Sequence, residues 1–324
     1  MMKKAILAAT LYLFGEPAPA WTAFPSIAID GSSTVFPITE AVAEEFQKAA
    51  PDIHVTIGIS GTGGGFKKFC AGEIDIVNAS RPIKKTEVEA CALHKVSAIE
   101  LPVAYDGIAV VVHPKNNWVD ALTLDELKKI WEPAAQGRIT TWNQIRSGWP
   151  KREIHLFGPG VDSGTFDYFT ETVIGKSAAS RGDFTASEDD NVLVQGVATD
   201  PGSLGFFGMG YYEANADRLK GVPIRQAKDG PAVLPTYDRV SDQTYVPLSR
   251  PLFVYVRKEA AGRPEVAQLI RFYLKQAAVL VKEVGNVPLS DALYARVLDR
   301  FEKRVVGSLF TGQSSSTSLG KLMK

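Results

Sequence analysis

The sequence predicts an α/β protein built from two domains. Short apolar runs alternate with amphipathic helical segments along most of the chain, which is the order of elements in sheets covered by helices. The 324 residues are about twice the length of an ordinary domain. Two apolar runs, at residues 106–112 and 252–256, lie far apart in the chain, and we expect them to carry it into a second domain and back.

A secretory signal is predicted at residues 1–20. Lys3 and Lys4 form a basic start, residues 5–15 are apolar, and Ala-Pro-Ala at residues 18–20 offers a cleavage site,. The apolar run is too short to span a bilayer, and no cysteine lies near the cleavage site. We therefore expect a periplasmic protein that is not a lipoprotein.

The charge balance argues against several classes of partner. The 36 basic and 36 acidic residues become 34 and 35 once residues 1–20 are removed. Such a chain has no overall field to attract nucleic acid or an anionic membrane, so a charged ligand has to be bound locally. The histidines are scattered without the spacing of metal ligands, at His54, His94, His113 and His155,. We predict no metal site and no cofactor.

Strands and helices alternate in the first part of the chain. Pro37 suits the first position of a helix, and Ile38, Val42 and Phe46 share one face of it,. The run at residues 106–112 is almost continuously apolar, as in a strand buried on both faces. The expected elements are a strand at 27–30, a helix from Pro37, a strand at 53–59, a helix at 66–71, a strand at 74–77, a helix at 85–92, and strands at 98–102 and 106–112.

The remaining elements complete a second domain and return to the first. We expect a helix at 122–131, a strand at 154–157, a helix after residue 163, a helix at 191–197, a glycine-rich stretch at 204–210, a strand at 252–256, and helices at 264–284 and 292–305,. We place domain one at residues 24–107 and 250–312 and domain two at 108–249. Residues 313–324 are polar and rich in serine, so we expect a disordered tail.

Three predicted helix starts, at residues 31–34, 60–65 and 162–165, combine hydroxyl side chains with glycine. The first N–H groups of a helix have no partner inside it, and the helix dipole favours negative charge there. Hydroxyls add donors, and glycine lets the backbone approach a ligand. Each start alone is compatible with an ordinary capped helix, but the three together with Arg81 favour a site for a tetrahedral oxyanion. The loop at 60–65 lacks the G-K-[ST] of a nucleotide P-loop.

Four segments, in order, resemble the periplasmic phosphate-binding proteins of ABC importers. They are DGSSTVFPITEAVAEEF from residue 30, GISGTGGGFKKFCAGEIDIVNASRPI from 58, LPVAYDGIAVVVHP from 101 and GPGVDSGTFDYFTE from 158. The resemblance implies a two-lobed type II periplasmic binding protein with two strands crossing the hinge. It further implies that the protein closes on inorganic phosphate and delivers it to permease subunits in the inner membrane. We expect a monomer.

The resemblance and the helix starts together define the expected site. The resemblance implies contacts from the loop before the first helix, from the glycine-rich loop and from the S-G-T at residues 163–165. The predicted phosphate-binding residues are Ser33, Thr34, Val35, Ser60, Thr62, Gly63, Arg81, Asp162, Ser163, Gly164 and Thr165.

The sequence departs from the best-known family members at two charged positions. Those members carry an Arg four residues before the Ser of S-G-T and an Asp after the A-S of the third strand, where this chain has Pro159 and Arg81. We expect Arg81 to supply the cation from the other loop, because an oxyanion needs a guanidinium but not a particular segment to present it. The alternative is a surface arginine paired with Asp75 or Glu73.

The carboxylate that accepts the ligand's proton then has to come from another position. Phosphate carries a proton at neutral pH and sulfate does not, so a hydrogen-bond acceptor in the site rejects sulfate. Asp162, beside the S-G-T, is the first candidate and Asp106 is the second. The alternative for Asp162 is a plain helix cap.

The two cysteines of the chain are Cys70 and Cys91. In an oxidising compartment we expect one disulfide between them, which would stabilise the fold by roughly 3 kcal/mol on the chain-entropy model. Two buried thiols are the alternative.

Other functional classes are less consistent with the sequence. Residues 162–165 match the D-[ST]-G-[ST] of aspartic proteases, but that chemistry needs two such motifs and the chain has one,. No G-x-S-x-G elbow of a serine hydrolase is present. We therefore do not expect an enzyme. A binding protein for sulfate, molybdate or a phosphorylated small molecule is the main alternative, and a role as an adhesin or scavenger after secretion stays open.

Overall fold

The computed structural model describes residues 24–161, 163–312 and 317–323. The predicted signal at residues 1–20 and the predicted site residue Asp162 lie outside the described residues. No helix in the described ranges is long and apolar enough to cross a membrane.

The protein is α/β, as expected, and all but two of its strands are short. They are β1 (Ser26–Gly31), β2 (His54–Ile59), β3 (Ile76–Ala79), β4 (Ala98–Val112), β5 (Leu122–Thr123), β6 (His155–Pro159), β7 (Thr185–Ser187), β8 (Ser203–Gly208), β9 (Lys220–Gly221), β10 (Ile224–Arg225), β11 (Ser249–Arg257) and β12 (Val287–Pro288).

Helices separate most of these strands. They are α1 (Phe36–Ala49), α2 (Gly61–Cys70), α3 (Lys85–Leu93), α4 (Leu124–Trp131), α5 (Gly164–Val173), α6 (Asp190–Thr199), α7 (Met209–Glu213), α8 (Tyr237–Ser241), α9 (Pro264–Glu283), α10 (Asp291–Glu302) and α11 (Leu319–Leu322). Short 3₁₀ helices lie at Pro133–Ala135, Trp142–Gln144 and Ala260–Gly262.

The main sheet has the order β2-β1-β3-β11-β4-β8-β6-β7, with β9 and β12 also paired to β4. We call β2-β1-β3-β11 and the start of β4 the first half, and the end of β4 with β8-β6-β7 the second half. β1, β2 and β3 are parallel neighbours, as are β6, β7 and β8. In parallel neighbours the carboxyl ends lie at one edge, where ligands of α/β proteins usually bind.

β4 connects the two halves as one continuous strand. Residues 98–107 pair with β11, and residues 108–112 pair with β8. The sequence predicts two strands here, at 98–102 and 106–112. The structure corrects this: the ladder shifts register between Leu252 and Phe253, opposite Pro102, and a bulge is one of the few places where a sheet accommodates proline.

The glycine-rich stretch after β2 is helical, which is a second correction. The sequence predicts a loop up to residue 65, whereas α2 begins at Gly61. A Cβ at Gly65 would lie 2.7 Å from Gly31 Cα and 2.7 Å from Val77 Cγ2. Close packing of α2 on the end of β1 therefore requires glycine and outweighs its poor helix propensity.

Local sequence explains where several helices begin. Thr123 and Glu126 form a capping box at α4, each side chain accepting from the other's backbone amide, at 3.1 and 2.8 Å,. The hydroxyls of Ser163 and Ser290 cap α5 and α10,. α4 starts two residues later than expected, because residues 122–123 pair with β10 as β5.

The end of the chain is a third correction. Within the expected disordered tail at 313–324, the structure describes residues 317–323, which contain α11. Leu319 is fully buried, and Arg296 Nη1 donates to the Met323 carbonyl at 2.7 Å. The polar composition of this segment suggested disorder, but two of its apolar residues, Leu319 and Met323, pack into the main core.

The expected disulfide between Cys70 and Cys91 is confirmed. It joins the end of α2 to α3. The first residues of α2 and the loop before α3 both belong to the predicted site, so the disulfide fixes two of its segments relative to each other.

Candidate anion-binding site

Two helix starts from opposite halves of the sheet meet in the structure. Gly164 is the first residue of α5, and Thr34 lies in the turn before α1. A Cβ built on Gly164 would lie 2.2 Å from Thr34 Oγ1, 3.1 Å from Ser33 Oγ and 3.2 Å from the Thr34 amide nitrogen. Only glycine permits an approach this close. Three predicted site residues are therefore brought together by the fold.

The hydroxyls at this contact keep their protons available. Thr34 Oγ1 accepts from Arg250 Nη2 at 3.2 Å, and Ser163 Oγ accepts from the Thr165 amide at 3.2 Å. A hydroxyl that accepts in this way still has its own hydrogen to donate. The Ser33 and Thr165 hydroxyls have no hydrogen bond to another described residue. Four hydroxyl donors can therefore serve one oxyanion.

Backbone amides add further donors at the same place. In the turn before α1, the Ser32 amide donates to the Asn78 carbonyl and the Phe36 amide to the Ser32 carbonyl. The amides of Ser33, Thr34 and Val35, between them, find no acceptor among the described residues. Helix starts of this kind bind anions because free N–H groups and the positive end of the helix dipole coincide.

Ser60 has a different role from the one expected. Its hydroxyl donates to Asp30 Oδ1 at 2.5 Å, and its amide donates to the same oxygen at 3.0 Å. Burial raises the pKa of Asp30, but hydrogen bonds from Lys68 and Ser60 outweigh it and hold the pKa below its usual value,. In this arrangement the Ser60 proton is committed to Asp30, and Ser60 positions the start of α2.

Thr62 and Gly63 lie beside the loop that follows β3. The Thr62 and Ser80 hydroxyl oxygens are 3.2 Å apart, and the Ser80 amide donates to Thr62 Oγ1 at 3.2 Å. A Cβ on Gly63 would lie 4.0 Å from Arg81 Nη2. The second helix start and Arg81 are therefore adjacent, as the anion-site hypothesis requires.

Arg81 is paired with a carboxylate other than the two alternatives that the sequence offers. Its Nη1 and Nη2 donate to the two oxygens of Glu87 at 2.9 and 2.7 Å, and Nη1 also donates to the Pro82 carbonyl at 3.1 Å. Neither Asp75 nor Glu73 is its partner. Together with the Pro82 contact, this bidentate pair engages three of the five N–H donors of the guanidinium,.

Arg250 is a second guanidinium at the site, and it is not among the residues predicted from the sequence. The β11–β4 register places Arg250 directly opposite Asp106. Its Nε and Nη2 are each 3.2 Å from Asp106 Oδ2, and its guanidinium carbon is 3.8 Å from the centre of the Tyr168 ring. In the sequence, Arg250 is visible only as the middle residue of Ser-Arg-Pro at 249–251, and the strand register is needed to show that Arg250 faces Asp106.

Two cavities adjoin this group of residues. The larger, of about 1060 Å³, is lined by residues that include Ser33, Thr34, Asp106 and Ser163. The smaller, of about 270 Å³, is lined by residues that include Ser80, Arg81, Tyr168 and Arg250. Arg250 lies between them, since it lines the smaller cavity and hydrogen-bonds to Thr34 and Asp106 of the larger. Across the described ranges, no group of three or more His, Cys, Asp or Glu side chains is placed to hold a metal ion.

Comparison with known proteins finds relatives over most of the chain. A family model described as a PBP superfamily domain matches residues 17–277. The chain is 51% identical over 288 residues to Protein SphX of Synechococcus elongatus, covering 89% of this chain and 85% of that protein. It is 38% identical over 268 residues to the phosphate-binding protein PstS of Staphylococcus saprophyticus, covering 82% and 81%.

A solved structure has the same fold at comparable similarity. The crystal structure of a possible phosphate binding protein from Planctomyces limnophilus superposes with a TM-score of 0.81 and 45% sequence identity. The match covers 86% of this chain and 98% of that one.

Proposed function

Since the chain belongs to the PBP superfamily and, within it, to the PstS-like proteins, we propose that it captures inorganic phosphate between two lobes and delivers it to the permease of an ABC importer. Two of these relatives are named a phosphate-binding protein and a possible phosphate binding protein, and we propose binding without catalysis here too. The predicted signal at residues 1–20 supports a periplasmic location, and we propose a monomer that meets the permease at the inner membrane.

The observation that carries the proposal is the contact between Gly164 and Thr34. It joins a helix start of the first half of the sheet to one of the second half, and each contributes hydroxyl or amide donors whose hydrogens are uncommitted. A tetrahedral anion between them would be held by both halves at once. That arrangement couples binding to closure.

The partner change along β4 supports the proposed division of the chain. β4 pairs with β11 up to Gly107 and with β8 from Ile108. We therefore propose residues 24–107 and 250–312 as domain one and residues 108–249 as domain two.

A carboxylate that accepts the ligand's proton would distinguish phosphate from sulfate. Asp106 suits this role because only its Oδ2 is engaged by Arg250, while Oδ1 has no partner among the described residues. Its side chain is 5% exposed, so a ligand without a proton would leave a buried acceptor unsatisfied. Asp162 remains the other candidate.

Calorimetric titration of the exported protein, stripped of bound ligand, tests the proposal. We expect sub-micromolar phosphate binding, on the order of −8 kcal/mol or stronger, and no heat with sulfate. Tight binding of sulfate or molybdate would mean that the ligand of this protein is an oxyanion other than phosphate. No binding heat with any tetrahedral anion would overturn the proposed function.

A further inference from the structure

We propose that Arg250, rather than Arg81, is the guanidinium that neutralises the bound anion and links it to both halves of the protein. This inference rests on the proposed function and deepens it. The sequence pattern assigned the charge to Arg81, so the two arginines give opposite expectations for the same measurement.

Arg81 is poorly placed to neutralise a ligand. Both of its terminal nitrogens donate to Glu87, one to each carboxylate oxygen, at 2.9 and 2.7 Å. Glu87 is itself held, because its carboxylate also accepts from the Lys84 amide at 2.8 Å in the first turn of α3. An anion recruiting Arg81 would have to compete with a paired carboxylate of the same charge.

Arg250 is only partly neutralised. Its contacts with Asp106 go to a single oxygen and are longer, at 3.2 Å, and its third contact, with the Thr34 hydroxyl, is to a neutral group. Nη1 has no acceptor among the described residues. A guanidinium with 14% of its side chain exposed and unused donors beside a polar cavity has a strong electrostatic preference for an anion.

The position of Arg250 links three segments of the fold. Its backbone is in β11, it hydrogen-bonds to Thr34 before α1, and its guanidinium carbon lies 3.8 Å from the centre of the Tyr168 ring in α5. Burial raises the pKa of Tyr168, so the phenol stays neutral, and its hydroxyl donates to the Pro247 carbonyl just before β11. An anion bound to Arg250 therefore binds a guanidinium that contacts both α5 of the second half and the loop before α1 of the first half.

Charge-removing and charge-keeping variants test the assignment by phosphate calorimetry. We expect Arg250→Gln to weaken phosphate binding by about 100-fold or more, since it removes a buried charge partner. Arg250→Lys keeps the charge but cannot serve Asp106, Thr34 and the anion together, and we expect about tenfold weakening. We expect Arg81→Gln to weaken binding by less than about tenfold.

Arg271→Gln is the matched control, because Arg271 makes a bidentate pair with Glu302 on the exposed surface. We expect it to bind phosphate within about twofold of the wild type. Thermal unfolding of every variant reports whether the fold is retained. If Arg250→Gln does not fold, Arg250→Lys, which keeps a positive charge beside Asp106, decides the question.

The outcomes separate this inference from the proposed function. Wild-type binding with loss in Arg250→Gln and near-normal affinity in Arg81→Gln supports it. If folded Arg250→Gln binds phosphate with wild-type affinity, the inference is overturned and the proposed function is left intact. The same holds for Arg250→Lys if Arg250→Gln does not fold. A wild-type protein that does not bind phosphate overturns both.

Discussion

Replacing Gly164 with alanine adds one methyl group where α5 meets the turn before α1. That methyl would lie 2.2 Å from Thr34 Oγ1, whereas ordinary contacts begin at 3.4 Å, so the two segments have to separate by about 1 Å or Thr34 has to turn away. Turning Thr34 breaks its hydrogen bond with Arg250 and removes a ligand donor. Either response weakens the closed, anion-binding arrangement.

The expected size follows from the cost of overpacking a well-packed contact, about 1–3 kcal/mol. Taken from the binding free energy, this is roughly a 5- to 150-fold increase in the Kd for phosphate. The ligand-free protein can relieve the clash by separating the two loops, and alanine favours the helix over glycine. We therefore expect the thermal unfolding midpoint without ligand to stay the same or rise.

Phosphate calorimetry and thermal unfolding of Gly164→Ala, with Gly148→Ala beside it, provide the measurement. A Cβ on Gly148 meets no atom within 4 Å, so this control should match the wild type in both assays. A Gly164→Ala protein that binds phosphate within about twofold of the wild type would refute the reasoning. A lowered unfolding midpoint with unchanged affinity would show that the contact serves folding instead.

Three further predictions concern selectivity, pH and the disulfide. Asp106→Asn should weaken phosphate binding about tenfold or more and admit sulfate, because an amide donates where a carboxylate accepts; Asp162→Asn in the same titration tests the other candidate. Burial raises the pKa of Asp190 from 3.8 to about 6, so the folded protein holds this proton more tightly than the unfolded chain. The free energy of unfolding of the protein therefore falls as pH rises from about 4 to 6, by at most about 3 kcal/mol. Asp190→Asn should accordingly raise the unfolding midpoint at pH 7.5 but not at pH 4. Replacing Cys70 and Cys91 together by serine should lower the free energy of unfolding by roughly 3 kcal/mol in urea titrations, with phosphate affinity retained.

Each of these predictions has a contradicting result. Unchanged selectivity in both asparagine variants would place the acceptor elsewhere. An equal midpoint shift at both pH values in Asp190→Asn would remove titration as the cause. Unchanged stability of the double serine variant would mean that the disulfide adds little to the packing of α2 against α3.

Local sequence was sufficient to predict two of the three helix starts of the site. The hydroxyls and glycines near Thr34 and Gly164 are adjacent in the chain to the helices they begin, so capping chemistry identifies them without knowledge of the fold. That these two starts meet was expected from the resemblance, and their contact is seen in the structure. The disulfide was predictable because only one pairing of two cysteines exists.

The charged groups were less predictable, because strand register decides their partners. Arg250 and Asp106 are 144 positions apart and meet only because β11 and β4 pair in one particular alignment. Ser60 likewise donates to Asp30, on the neighbouring strand β1, and nothing within the glycine-rich segment indicates this. Helix boundaries in that segment were also wrong, since close packing against Gly31 outweighs the propensity of glycine.

The long antiparallel pairing of β4 with β11 has a mechanical consequence. The ladder reaches from Ala98 to Gly107 on β4, right up to the residue where the strand enters the second half. Opening and closing of the cleft would therefore bend the hydrogen-bonded β4–β11 pair about one axis, and the two halves of the protein would have little freedom to slide or twist relative to each other. Such a motion breaks few bonds and needs no refolding, so each release of cargo would return the protein to the same starting geometry. We expect backbone amides at residues 104–108 to exchange slowly with solvent in both the loaded and the unloaded protein.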